Sequence, residues 1–136
     1  MDRIATPCGE LYQGGSVDLS DAEADITLVV NVCAYELCPA RRGRSLPLED
    51  CEINEFMQRR LMTYLAPTAI ICADILRSGG RVVSICNMGR NRSGLVNGLI
   101  LRRLGVDDDA AVAAIRAARA GALSNQSFVA MIRTAT

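Results

Sequence analysis

The 136-residue chain contains no histidine, no tryptophan and no lysine, and its few aromatics are three Tyr and two Phe. Without His, the Ser-His-Asp and Cys-His nucleophile arrangements and His-based metal sites are all excluded. Cys, Asp, Glu, Arg, Ser and Tyr remain as the catalytic vocabulary. Without Lys there is no Schiff-base amine and no Gly-Lys-Ser/Thr phosphate loop, and every one of the 15 basic residues is Arg. Aromatics at 4% provide no platform for stacking bases. A formal net charge of zero gives no broad attraction to nucleic acid or to an anionic membrane. Long apolar runs are missing too: the stretch 68–75 is interrupted by Cys72 and Asp74 and falls short of the roughly 20 residues that a span needs. The opening MDRIATPCGELY has no apolar signal core, so a cytosolic (cytoplasmic) location is expected.

Half of the residues are apolar, with four Pro and eleven Gly, and this length supports one hydrophobic core, so residues 1–136 are read as a single domain. The six cysteines form no C-x-x-C pair. They read as reduced, and mostly as small buried apolar side chains, because zinc held by Cys33, Cys38 and Cys51 would match none of the common ligand spacings.

The pattern of elements alternates. Residues 10–14 read as a short edge strand, 26–32 (ITLVVNV) as a buried central strand, 38–44 (CPARRGR) as a loop and 45–48 (SLPL) as a second short strand. A helix is predicted from Asn54, its N-cap, to Ser78, with Gly79-Gly80 as the stop and Pro67 kinking or dividing it. Residues 81–85 (RVVSI) form the next strand, 94–104 a helix, and 107–120 another that opens on three Asp and ends at Gly121. A last helix runs from an Asn125 cap to about Arg133. The expected fold class is therefore α/β: one domain, a central and mostly parallel sheet flanked by helices.

One segment carries chemistry. In VVSICNMGRNRSGLV a strand runs into a loop that begins at Cys86, turns at Gly89 and enters a helix at Arg92, Ser93 and Gly94. Ligands of open α/β sheets bind beyond the carboxyl ends of strands, and here a helix N-terminus faces the same point. The successive N–H groups of Asn87, Met88, Gly89, Arg90 and Asn91 can converge on an anion such as phosphate, sulfate or vanadate without any lysine. A thiol aimed into such a nest is favoured as its thiolate, which makes Cys86 the candidate nucleophile. Arg92 offers a planar fork for two phosphoryl oxygens. Ser93 can donate to the sulfur and help it leave.

Residues 86–94 resemble the C-x-x-G-x-x-R-S/T-G phosphate loop of the cysteine-dependent protein tyrosine and dual-specificity phosphatases. The resemblance continues along most of the chain. Residues 10–15 (ELYQGG) resemble that family's opening strand and Leu46-Pro-Leu-Glu-Asp50 its I-P-x-x-D acid loop. Residues 116–128 (RAARAGALSNQSF) resemble its R-x-x-R-P-G-A-x-x-N-x-x-F tail, with Ala120 where Pro is usual. The family usually has His before the nucleophile, and here that position is Ile85. The missing W-P-D loop points to the small dual-specificity branch.

The resemblance implies a metal-independent phosphatase with no cofactor, acting through a cysteinyl-phosphate on Cys86, with Asp50 as the general acid and base. Phosphotyrosine, phosphoserine or phosphothreonine of proteins is the expected substrate class. Phosphatases of RNA 5′ ends share the Asn91-Arg92-Ser93-Gly94 pattern, and nucleotides or phosphoinositides are further alternatives. Nucleic acid enters only as a substrate end, and no membrane partner is expected. A second alternative is a pseudophosphatase that binds phosphorylated partners without turnover, favoured by Ile85. Arg41, Arg42, Arg44 and Arg90 either make the site mouth positive or are solvated surface groups. Tyr35 is a candidate substrate contact, and Cys33, Cys38 or Cys51 could resolve an oxidised Cys86.

Overall fold

A parallel run of three hydrophobic strands needs cover from helices, and the chain supplies it. The computed structural model describes residues 1–15, 26–33 and 43–135. The elements in order are β1 (Asp2–Ile4), β2 (Glu10–Gly15), β3 (Leu28–Asn31), β4 (Gly43–Ser45), α1 (Glu55–Arg77), β5 (Arg81–Cys86), α2 (Arg92–Arg103), α3 (Asp108–Ala118) and α4 (Gln126–Thr134). The five strands form one mixed sheet in the order β1-β2-β5-β3-β4, in which only the β1-β2 pair is antiparallel. The expected α/β domain with a mostly parallel sheet is therefore present.

Three details differ from the sequence reading. The strand at residues 10–15 is not an edge, because β1, too short to carry a periodic signal, pairs outside it. The strand expected at 45–48 lies earlier, at Gly43–Ser45, where it pairs in parallel with β3; this leaves Leu46 and Leu48 free to plug the core as buried residues of an irregular segment. The third helix ends at Ala118 rather than Ala120, and Gly121, with φ +78°, belongs to the turn beyond the extended Arg119.

Pro67 does not divide α1, which runs unbroken for 23 residues. The carbonyl that loses its partner belongs to Thr63, and both Thr63 and Pro67 are exposed, so water can satisfy it. On the inner face Leu65, Ala69, Cys72, Ala73 and Leu76 are buried on both sides of the proline, and that burial outweighs a cost of about 3 kcal/mol. Asn54 and Asn125 cap α1 and α4 through their side chains, as their positions predict, and Asp107, read as the first residue of the third helix, is the cap of α3 instead.

The main core gathers side chains from all four helices with one face of the sheet, including Leu11, Val82 and Cys86. Ile26, Val29, Val83 and Ile85 form a smaller cluster. The alternation along β5 thus turns Cys86 toward the helices and Ile85 to the opposite face. Helix α2 lies at the centre, buried from Ser93 to Leu101. It approaches α4 so closely that a Cβ on Gly98 would fall 2.3 Å from Ile132. None of the described helices is long and apolar enough to cross a membrane.

Candidate functional site

The site is built where β5 ends and α2 begins. Cys86 is the last residue of β5 and is 2% exposed, and its Sγ lies 3.2 Å from the Oγ of the fully buried Ser93 in the first turn of α2. Between them the chain turns at Gly89, whose φ is +67°. A Cβ there would sit 2.4 Å from the carbonyl carbon of Gly14, so only glycine lets the loop lie against the end of β2. Asn87, Met88 and Arg90 are exposed on the outer side of the loop.

The loop carbonyls are tied outward in succession. Met88 O accepts from Arg119 at 3.0 Å, Gly89 O from Gln13 at 3.0 Å, and Arg90 O from the Leu123 amide at 3.2 Å. Every peptide bond described is trans, so each carbonyl points away from the N–H of the next residue. The N–H groups of Gly89, Arg90 and Asn91 are thereby turned away from these donors, the arrangement an anion nest requires. Leu123 makes its bond from a left-handed backbone conformation, φ +55°, that a branched side chain seldom adopts. Arg116 donates to its carbonyl at 3.0 Å, and its side chain packs on Gly94.

Asn91 stands at the N-cap of α2 but makes no side-chain bond to that helix. Its amide donates instead to Asp50 Oδ2 at 2.9 Å, while Asn125 donates to Asp50 Oδ1 at 2.8 Å. The first-turn N–H groups of α2 are left for a ligand, and the exposed Asp50 is held beside the phosphate loop. The segment that carries Asp50 is fixed at several points. Tyr64, on α1, donates its hydroxyl to Pro47 O; burial raises the Tyr64 phenol above its ordinary value. Leu46 N donates to Asn31 O at 2.8 Å, and Arg92 reaches Leu48 O at 3.4 Å. Asn125 also holds Cys51 O at 2.9 Å.

The structure therefore brings Cys86, Ser93, Arg92 and Asp50 into one neighbourhood. Arg44 is turned elsewhere, donating to Thr68 on α1 at 2.8 Å, so it does not line the mouth with Arg90. Arg41, Arg42, Tyr35 and Cys38 lie outside the described residues. Cys8, Cys51, Cys72 and Cys86 carry free thiols. Cys72 is a core residue: burial pushes its thiol up to about 12, against a lowering by Arg44, and keeps it protonated at neutral pH. Among the described residues no group of three or more Cys, Asp or Glu side chains is placed to hold a metal ion. Sequence reasoning missed Gln13, Arg119 and Leu123, which hold the loop, and Asn97, which bonds to Gln13. It found Asn125 as a helix cap without its second task at Asp50.

No protein-family model matches the chain, and no curated protein matches it. Solved structures do. Human DUSP28 superposes with a TM-score of 0.77 at 25% identity, over 98% of this chain and 93% of that one. A mouse putative dual specificity phosphatase complexed with zinc tungstate gives 0.73 at 27% identity, over 97% and 84%. The human tyrosine phosphatase-like serine/threonine/tyrosine-interacting protein gives 0.71 at 17%, over 90% and 88%. The structural neighbours are dual-specificity and tyrosine phosphatases, and they support the resemblance to the dual-specificity-like branch of the cysteine phosphatases that residues 86–94 carry.

Proposed function

We propose that this chain hydrolyses phosphomonoesters, those of phosphorylated proteins first, through a cysteinyl-phosphate on Cys86. The observation that carries this reading is the thiol at the end of β5, 3.2 Å from a buried hydroxyl and under a loop whose carbonyls are bonded outward. Outward carbonyls leave the opposite N–H groups for an oxyanion, with the thiol at the base of the loop as its nucleophile.

In the first step the Cys86 thiolate attacks phosphorus in line. The S–P bond forms as the P–O bond to the leaving group breaks, and Asp50 delivers a proton to the departing oxygen. Arg92 and the loop amides bind the three equatorial oxygens and follow them into the transition state. In the second step water attacks phosphorus and gives its proton to the Asp50 carboxylate, and the S–P bond breaks. The electron pair returns to sulfur, where the Ser93 hydroxyl donates to it. Tungstate is an oxyanion of the phosphate class, and a mouse neighbour was solved complexed with zinc tungstate; that is in keeping with an oxyanion as ligand.

The second reading, a binding module for phosphorylated partners, is favoured by Ile85, which offers the loop no polar group. The test is phosphate release from an aryl phosphate in the presence of chelator, with vanadate binding measured alongside, for wild type and Cys86→Ser. Turnover that survives chelator and disappears in the variant supports the phosphatase. Vanadate binding by a folded wild type without turnover supports the binding module.

A further inference from the structure

We infer that Gln13 is a positioning residue of the phosphate loop, oriented by a buried relay through Asn97 to Ser84; this rests on the phosphatase reading above. Gln13 on β2 and Ser84 on β5 are direct neighbours in register. Asn97 of α2 lies over both, and all three side chains are 0% exposed. Apolar side chains of like volume would fill this place with no polar group to desolvate. Three buried polar groups in one chain need a purpose beyond packing.

The chemistry of the partners fixes the direction of the relay. Tyr12 O can only accept, so Asn97 must turn its NH₂ toward it, at 3.2 Å. The same NH₂ donates to Gln13 Oε1 at 3.1 Å, and Asn97 Oδ1 accepts from the Ser84 hydroxyl at 2.8 Å. With its oxygen so engaged, Gln13 has its NH₂ aimed at Gly89 O, at 3.0 Å, and at Arg90 O, at 3.4 Å. A flip of either amide would set oxygen against oxygen in a dry core. Tyr12 O therefore sets Asn97, whose oxygen the Ser84 hydroxyl satisfies, Asn97 sets Gln13, and Gln13 holds two consecutive loop carbonyls outward, away from the nest.

The consequence falls on the opposite ends of those peptides. With the Gly89 and Arg90 carbonyls held by Gln13, the N–H groups of Arg90 and Asn91 face away from it, and they are presented for an anion before any arrives. Position 85 contributes nothing to this, because Ile85 packs with Ile26, Val29 and Val83 on the other face. On the side of the sheet the polar support of the loop comes from Gln13 of β2, backed by Asn97 of α2.

The experiment uses the full chain, an aryl phosphate as substrate and vanadate as the oxyanion probe. Gln13→Met keeps length and volume and removes donor and acceptor together. We expect it to keep the native circular dichroism while kcat/KM falls on the order of tenfold to a hundredfold and the vanadate inhibition constant rises by a similar factor. Ser84→Thr and Ser84→Val share a shape and differ in the hydroxyl; Thr should keep vanadate affinity where Val loses several-fold. If Gln13→Met does not fold, the Ser84 pair decides. A role confined to stability would lower Tm yet leave kcat/KM and vanadate inhibition at wild-type values well below the melting range, and that outcome overturns the inference. Active wild type with indifferent variants removes this inference alone; wild type that neither turns over nor binds vanadate removes the phosphatase reading with it.

Discussion

The two loops that make up the site are held by different means. The phosphate loop, from Cys86 to Ser93, is backed by the core: Cys86 and Ser93 are buried, and its carbonyls are bonded to Arg119, Gln13 and Leu123. The acid loop, residues 46–53, is pinned by two buried leucines and a tyrosine hydroxyl, but its carboxylate is exposed and held by the side chains of Asn91 and Asn125. Behind it lies an open groove of about 740 Å³ between Pro47, Leu48 and the Phe56, Met57 and Leu61 side of α1. The contrast suits the chemistry that the proposed mechanism asks of each loop. A nest of dipoles works only if it is rigid before the anion arrives, whereas a proton donor needs only to reach the leaving oxygen.

Either loop can be perturbed on its own. The largest effect is expected from Arg92→Ala, which removes the one guanidinium at the start of α2: kcat should fall about a thousandfold or more, with vanadate binding lost in parallel. Retained vanadate affinity would mean that the amides alone bind the anion. Next comes Gly89→Ala, whose Cβ would meet the Gly14 and Gly15 backbone at 2.4 to 2.7 Å from a positive φ. Since neither backbone can yield cheaply, kcat/KM should drop on the order of a hundredfold and Tm should fall by several degrees. Wild-type melting and kinetics together would show that the loop is softer than described.

On the acid side the effects should depend on the leaving group. Asp50→Asn should slow hydrolysis of an alkyl phosphate about a hundredfold and that of an activated aryl phosphate only slightly; equal losses on both would assign the proton to another group. Asn91→Ala removes one of the two amides that hold Asp50 and should cost about tenfold on the alkyl ester alone, with the fold intact. A loss of similar size on the aryl ester would place Asn91 in phosphate binding rather than in holding the acid.

What the sequence made legible was local. The strand-loop-helix at 86–94 is contiguous, its glycine and arginine sit at spacings that the chemistry requires, and the N-caps Asn54 and Asn125 each precede an apolar periodic run. Asp50 stands out by resemblance alone, and its neighbours explain how it is held. What escaped was non-local. Strand β1 is three residues long and gains its structure only by pairing with β2. Gln13, Ser84 and Asn97 are polar residues inside apolar stretches, with nothing in their own neighbourhoods to show that they meet. Leu123 reads as an ordinary leucine until the close approach of its amide to Arg90 explains its φ of +55°.

If Cys86 carries the phosphoryl group during turnover, that group can be trapped on it. Asp50→Asn is mixed with radiolabelled aryl phosphate, quenched within a single turnover and digested. The account predicts label on the peptide that contains Cys86 and none when Cys86→Ser is combined with Asp50→Asn. Phosphate released by the wild type with no label ever found on Cys86, or label on another residue, would contradict it.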